Sequence, residues 1–250
     1  MIFDLNKVYA VWLREVKRFF NSKPRILGSV GQPLFFLIAL SFGIGSIVPG
    51  LNYQQFVIPG IIAMTLLFSS VFAGVSVIWD REFGFLKEML VAPLNRTSIV
   101  LGRVLGGATA SVFQGILILA IGLLFFGLPF SALANALPAI VFMFLVSTGF
   151  VAIGIIIASL LNEVEGFQLI VNFIIFPLFF LSNALFPLDK LPAWFADIAS
   201  INPLSWGVTA LRSLLVQNSY ANLLPALAML LAFDALAILA AGYFFNKTSI

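Results

Sequence analysis

Apolar and polar positions along the chain fall into long blocks, not short alternations. A helix needs about 20 residues to cross the ~30 Å hydrocarbon core of a bilayer. Six apolar stretches reach that length: residues 26–48, 57–78, 104–127, 136–161, 167–186 and 223–245. Proline, glycine, asparagine and charge separate them, as in Pro49-Gly50-Leu51-Asn52, the run from Pro129 to Asn135, and Asn162-Glu163-Val164-Glu165-Gly166. Pro225 suits the first turn of the last helix, where a missing N–H costs nothing. The pattern predicts an all-α integral membrane protein with six transmembrane helices.

Two segments break the pattern. In residues 1–25, Leu5, Val8, Tyr9, Trp12, Val16, Phe19 and Phe20 share one helical face, and Lys7, Arg14, Lys17 and Arg18 share the other. This predicts an amphipathic interface helix lying in the membrane surface, basic side to the cytoplasm. It serves either as a lipid anchor or as a docking surface. Residues 187–222 are too apolar for a plain loop, with Trp194, Phe195, Ile198, Ile201, Leu204 and Trp206 among Asp189, Lys190, Asp197 and Arg212. Pro187, Pro192 and Pro203 divide the segment. Short re-entrant helices in the outer leaflet fit it, provided protein covers the broken backbone. The transmembrane domain then covers residues 26–250.

Composition agrees: 62% of residues are apolar, 9% are charged, and the mean hydropathy is +1.13. Soluble domains carry roughly 25% charged residues, so lipid is the solvent. With no cysteine and no histidine, thiolate chemistry and the commonest general base are excluded. The pI of 9.4 does not signal nucleic acid, because the net charge is only +3. Orientation follows from the basic residues. With both termini cytoplasmic, Lys7, Arg14, Lys17, Arg18, Lys23, Arg25, Arg81, Lys87, Arg96, Arg103 and Lys247 lie inside, and only Lys190 and Arg212 lie outside. This places the chain in the inner or plasma membrane as a multi-pass protein without a cleavable signal.

The largest cytoplasmic connection is residues 79–103, WDREFGFLKEMLVAPLNRTSIVLGR. A short apolar arc, Phe83, Leu86, Met89 and Leu90, faces away from Arg81 and Glu88, and Pro93 ends the helix. The segment is either a handle for a cytosolic partner or a solvated loop. Asp234 stands alone in the last span, as a structural polar contact or as a gating or pathway group. Glu163 and Glu165 begin the fifth span, where they either stabilise the positive end of a helix or touch the 79–103 connection. Gly107, Ser111, Gly115 and Gly122 form a small-residue strip for close helix packing. Gln114, Asn172 and Asn183 either hydrogen-bond between helices, the favoured reading, or line a path.

The run REFGFLKEMLVAPLNR, Arg81 to Arg96, resembles the cytoplasmic loop of ABC-2-type transporter permeases. A second run, Phe186 to Arg212, is similar to that family's pattern before the last span: FP-x-x-x-LP-x-W, then Asn202-Pro203, then Trp206 and Arg212. The resemblance covers essentially the whole chain and is nearest to the drug-resistance and nodulation-factor export permeases. It implies a homodimer of permeases served by two copies of a separate cytosolic ATPase, with ATP and Mg bound on that partner and no cofactor here. It also implies a coupling helix carried by Arg81, Glu82, Phe83, Gly84, Leu86, Lys87, Glu88, Leu90, Pro93 and Arg96. The absence of a G-x-x-x-x-G-K-[ST] phosphate loop agrees with ATP being bound elsewhere.

The expected function is therefore the membrane subunit of an ATP-driven exporter of a lipophilic or lipid-linked substrate, itself not an enzyme. An ion-coupled secondary transporter is the alternative, but it wants several buried carboxylates. An intramembrane enzyme would have to work without histidine, cysteine or a G-x-S-x-G elbow.

Overall fold

The computed structural model describes residues 5–43, 52–85, 95–188 and 192–247, and every regular element among them is helical. In chain order these are α1 (Leu5–Phe20), α2 (Lys23–Gly43), α3 (Tyr53–Ala73), α4 (Ser76–Glu82), α5 (Arg96–Phe125), α6 (Ala136–Leu160), α7 (Val164–Phe180), α8 (Ala193–Ile201), α9 (Pro203–Arg212) and α10 (Leu223–Lys247). Wide-turn segments interrupt α7 at Val171–Ile175 and extend α9 through Ser213–Gln217. Pro225 falls in the first turn of α10, as its missing N–H predicts. Asn202 caps α9 by accepting the Leu204 N–H at 3.0 Å, with Pro203 opening the helix.

Among the described residues, five helices are long and apolar enough to cross a membrane: 26–43, Tyr53–Glu82 (α3 with α4), α5, α6 and α10. The α3 stretch lies at the centre, with 78% of its most apolar window buried, against 17% for α2 and 22% for α10. Helix packing within lipid relies on close backbone approach, because burying apolar groups gains little there. The chain meets this need with glycine. A Cβ on Gly74 would strike the Gly154 backbone, and one on Gly154 would strike the Val71 carbonyl, so α3 and α6 cross with no side chain between them. The small-residue strip of α5 behaves as its spacing predicts. Gly115 and Gly122 face Leu66 and Ile58 of α3, and Ser111 donates to or accepts from Ser69 at 3.0 Å.

Three expectations need correction. The fifth apolar stretch, 167–186, forms a 17-residue helix, Val164–Phe180, followed by turns. Polar side chains end it: Ser182 donates to the Phe179 carbonyl and accepts the Ala184 N–H. The turn then packs so tightly on α3 that a Cβ on Gly60 would collide with Ala184. The connection 79–103 is also shorter than its charge suggested, because residues 96–103 are the first two turns of α5. Arg103 could join an apolar helix because a carboxylate neutralises it there.

The third correction concerns α1. Its apolar face does not simply rest on lipid but packs along α5. Val8, Val11 and Phe19 are buried, and Gly102 and Gly106 leave room for Val11 and Glu15. Trp12 Nε1 donates to Thr109 Oγ1 at 3.0 Å. Leu5, Tyr9 and Phe20 of the same face stay exposed. Thr109→Val keeps the shape of the contact and removes the acceptor. It should cost about 1 kcal/mol, read as a lower melting temperature of the detergent-purified protein. An unchanged melting curve would show that the hydrogen bond contributes nothing.

Candidate functional site

The two charged faces read separately in the sequence meet at one carboxylate. Asp80, in the last turn of α4, is 2% exposed. Arg14 of α1 grips it with both nitrogens, Nη1 to Oδ2 at 3.1 Å and Nη2 to Oδ1 at 3.0 Å. Arg103 of α5, equally buried, donates Nη2 to Oδ2 at 2.5 Å and Nη1 to Ser76 Oγ at 3.1 Å. Arg18 reaches Oδ1 at 3.5 Å while its guanidinium lies 5.5 Å from the Trp79 ring centroid. Charge-assisted, two-point pairing of this kind is stronger and more directional than a neutral hydrogen bond. The Asp80 hydrogen bond raises the Arg14 pKa, against the opposing pull of burial.

Asp80 thus joins α1, α4 and the start of α5. Periodicity within α1 and α4 does not mark Asp80 as the partner of Arg14 and Arg18. A visible signal existed: an acid ending the long apolar run from Val57, on the membrane side where nearly all the arginines gather.

Beyond Asp80 the chain turns outward. Arg81 Nη1 donates to Asn162 Oδ1 at 2.7 Å, and Nη2 to the Ala158 carbonyl at 3.0 Å, which fixes it to the α6–α7 turn. Phe83 ends the helix, and Gly84 sits at φ +80°, a left-handed conformation that glycine adopts without strain. The rings of Phe83 and Phe85 are 71% and 49% exposed, with Arg14 5.9 Å from the Phe85 centroid. Leu86, Lys87, Glu88, Leu90 and Pro93 lie outside the described residues. Arg96 Nη1 donates to the Asn246 carbonyl at 2.6 Å, which ties the start of α5 to the end of α10.

Glu163 and Glu165 come beside this region: with Arg81, Glu82 and Asn162 they line one open groove. Glu163 precedes α7 without a side-chain hydrogen bond to its backbone, and Glu165 lies in the first turn. Asp234 does not join them. It is buried between α10 and α6, where Thr148 Oγ1 donates to Oδ2 at 2.8 Å and Phe233 packs on Phe150. Asn183, in the turn after α7 and not within a helix, donates Nδ2 to Thr209 Oγ1 of α9 at 2.8 Å. Asn172 is exposed, and Gln114 Oε1 has no partner. No group of three or more acids that would hold a metal ion occurs among the described residues.

Three relatives match this chain in sequence along most of their length. A protein of Cyanophora paradoxa designated a transport permease, ycf38, is 32% identical over 217 residues, covering 82% of this chain and 74% of its own. Nodulation protein J of Rhizobium leguminosarum bv. viciae is 28% identical over 219 residues, 85% of this chain and 83% of its own. The inner membrane transport permease YadH of Escherichia coli K12 is 29% identical over 223 residues, 81% and 80% respectively. The family model for ABC-2 type transporters matches residues 6–216, which includes α1, the Asp80 cluster and the outward-turning aromatic pair. The chain belongs to the ABC-2 type transporter family, as a membrane permease.

Proposed function

We propose that this chain is the permease subunit of an ATP-driven exporter, seated on a separate cytosolic ATPase through the segment Arg81–Arg96. The observation that carries this reading is the exposed Phe83–Phe85 pair beyond Gly84, set among charges and held to the bundle by Asp80 and Arg81. An apolar knob with a charged rim suits a groove on a partner. Glu163 and Glu165 flank the same groove as Arg81 and Glu82 and extend that rim. Two permease copies and two ATPase copies make the working unit. The cargo is a lipophilic or lipid-tailed molecule, suited to spans with few polar side chains.

In this reading α7 is a sixth crossing. At 1.5 Å per residue its 17 residues rise about 25 Å, and the turns through Phe186 add the remainder. The helices α8 and α9 form the re-entrant pair at the outer surface, and both termini are cytoplasmic. Single cysteines at Ser22, Thr97 and Asp197 test the topology with an impermeant reagent on intact cells. Asp197 should react alone; labelling at Thr97 would overturn the orientation. For function, purification of the tagged permease should bring down a cytosolic ATPase with a phosphate loop, and candidate cargo should stimulate its hydrolysis. Recovery of the permease with no ATPase from gently solubilised membranes would sink the reading. The ion-coupled alternative gains nothing from Asp234, whose contact is a hydroxyl, or from Asp80, which arginines neutralise.

A further inference from the structure

At the end of the bundle opposite Asp80, around the start of α3, lies a pocket lined by Phe56, Asn183, Thr209, Arg212, Ser213 and Gln217, among others. Arg212 stands against the Phe56 ring, 3.9 Å from its centroid. Its Nη2 donates to the Asn183 and Ala184 carbonyls at 2.9 and 3.4 Å. A guanidinium carries five N–H donors. Among the described residues Nε is buried without an acceptor, and Nη1 makes no hydrogen bond. No carboxylate pairs with Arg212 among the described residues. Asn183 Oδ1 is likewise buried without a partner.

A part-buried cation is normally paired or avoided, because stranding it away from water is costly. The ring face and two carbonyls answer part of that cost. The open Nη1 edge and the neighbouring hydroxyl and amide groups of Thr209, Ser213 and Gln217 answer none of it. Together they match the needs of a phosphate or carboxylate: the N–H bonds of Nη1 for its oxygens, with the Thr209 hydroxyl and the Gln217 amide nitrogen beside them, while Ser213 Oγ donates to Gln217 Oε1 at 3.4 Å. The apolar wall from Phe56 gives a chain attached to that group somewhere to lie.

We propose that this pocket binds an anionic headgroup, a phosphate carried on a lipid or lipid-tailed molecule, with Arg212 as its charge partner. The placement at the outer leaflet rests on the orientation proposed above. It would explain why one of only two basic residues on that side is built into the fold and pairs with no carboxylate among the described residues.

The test uses the whole permease in nanodiscs, without the ATPase, so that failure of the transport reading leaves the outcome untouched. Phosphatidylglycerol and phosphatidylcholine discs are compared by melting temperature and by lipid retained in native mass spectrometry. Wild type should retain phosphatidylglycerol at least tenfold more readily than Arg212→Gln does, and should melt higher in those discs. Inorganic phosphate added to phosphatidylcholine discs separates the sources. A matching stabilisation assigns recognition to the phosphate alone, and its absence assigns it to the headgroup with its acyl chains. Should Arg212→Gln fold poorly, Gln217→Glu serves instead, since Gln217 is exposed and a carboxylate there would compete for Arg212. It should lower the preference to a similar degree. Equal phosphatidylglycerol retention by wild type, Arg212→Gln and Gln217→Glu would overturn the proposal, as would wild-type indifference to both phosphatidylglycerol and phosphate.

Discussion

Replacing Asp80 with alanine should remove most of the protein from the membrane. The carboxylate is the shared counter-charge of Arg14, Arg18 and Arg103, and Arg103 is as buried as Asp80 itself. Deleting one member of a buried pair leaves the other stranded, at a cost of about 3–5 kcal/mol. That is a large part of the 5–15 kcal/mol typical of a folded domain. The pairing also joins three helices, so α1 should loosen from α5 at the same time. Membrane abundance and the melting temperature in detergent read the effect. A second substitution distinguishes lost pairing from lost packing. Asp80→Ala with Arg103→Met removes both buried charges and should recover part of the stability, since an apolar replacement of a whole ion pair is often tolerated. Wild-type abundance of the single Asp80→Ala variant would refute the view of this cluster as the anchor of its end of the bundle.

The largest effect on partnership should come from Leu86→Asp. Leu86 follows Gly84 by two residues and falls, in the sequence pattern, on one apolar arc with Phe83, whose ring is exposed. If that arc seats in a groove on the ATPase, an unpaired carboxylate there costs several kcal/mol, and each 1.4 kcal/mol is about a tenfold loss of affinity. Association should fall by orders of magnitude, and cargo-stimulated hydrolysis with it. No described span includes residue 86, so membrane abundance should hold. This separates the variant from Asp80→Ala, which should lose protein first. Full ATPase binding and full transport in Leu86→Asp would show that the coupling contact lies elsewhere.

The spans were legible because the bilayer imposes one simple requirement, about 20 apolar residues with their backbone satisfied in a helix. Residues 136–161 and 223–245 were read almost to the observed ends. The small-residue strip from Gly107 to Gly122 was legible for the same kind of reason, since spacing on one helix reveals a face that must meet a neighbour. What could not be read was which neighbour. Gly102 and Gly106 serve α1, while Gly115 and Gly122 serve α3, and nothing local distinguishes them. Charge was misread where its partner is remote. Arg14 lies 66 residues from Asp80, so periodicity within α1 reported only a basic face. At 167–186 hydropathy marked the apolar run but not the helix end, which Ser182 and the turns after it set. Arg212 was visible as an exception to the charge rule and as the end of the Phe186–Arg212 run; its pocket needed the fold.

The contact between α1 and α5 sets a waiting time during synthesis. Trp12 and its acceptor Thr109 are 97 residues apart. At a translation rate of about 5–20 residues per second, α1 leaves the ribosome roughly 5–20 s before the groove that receives it has been made. Through that interval the lipid surface is the only shelter for its apolar face, and Arg14 and Arg18 have headgroups to meet before they have Asp80. The amphipathic pattern of α1 therefore describes its first environment, and the glycines of α5 describe its last.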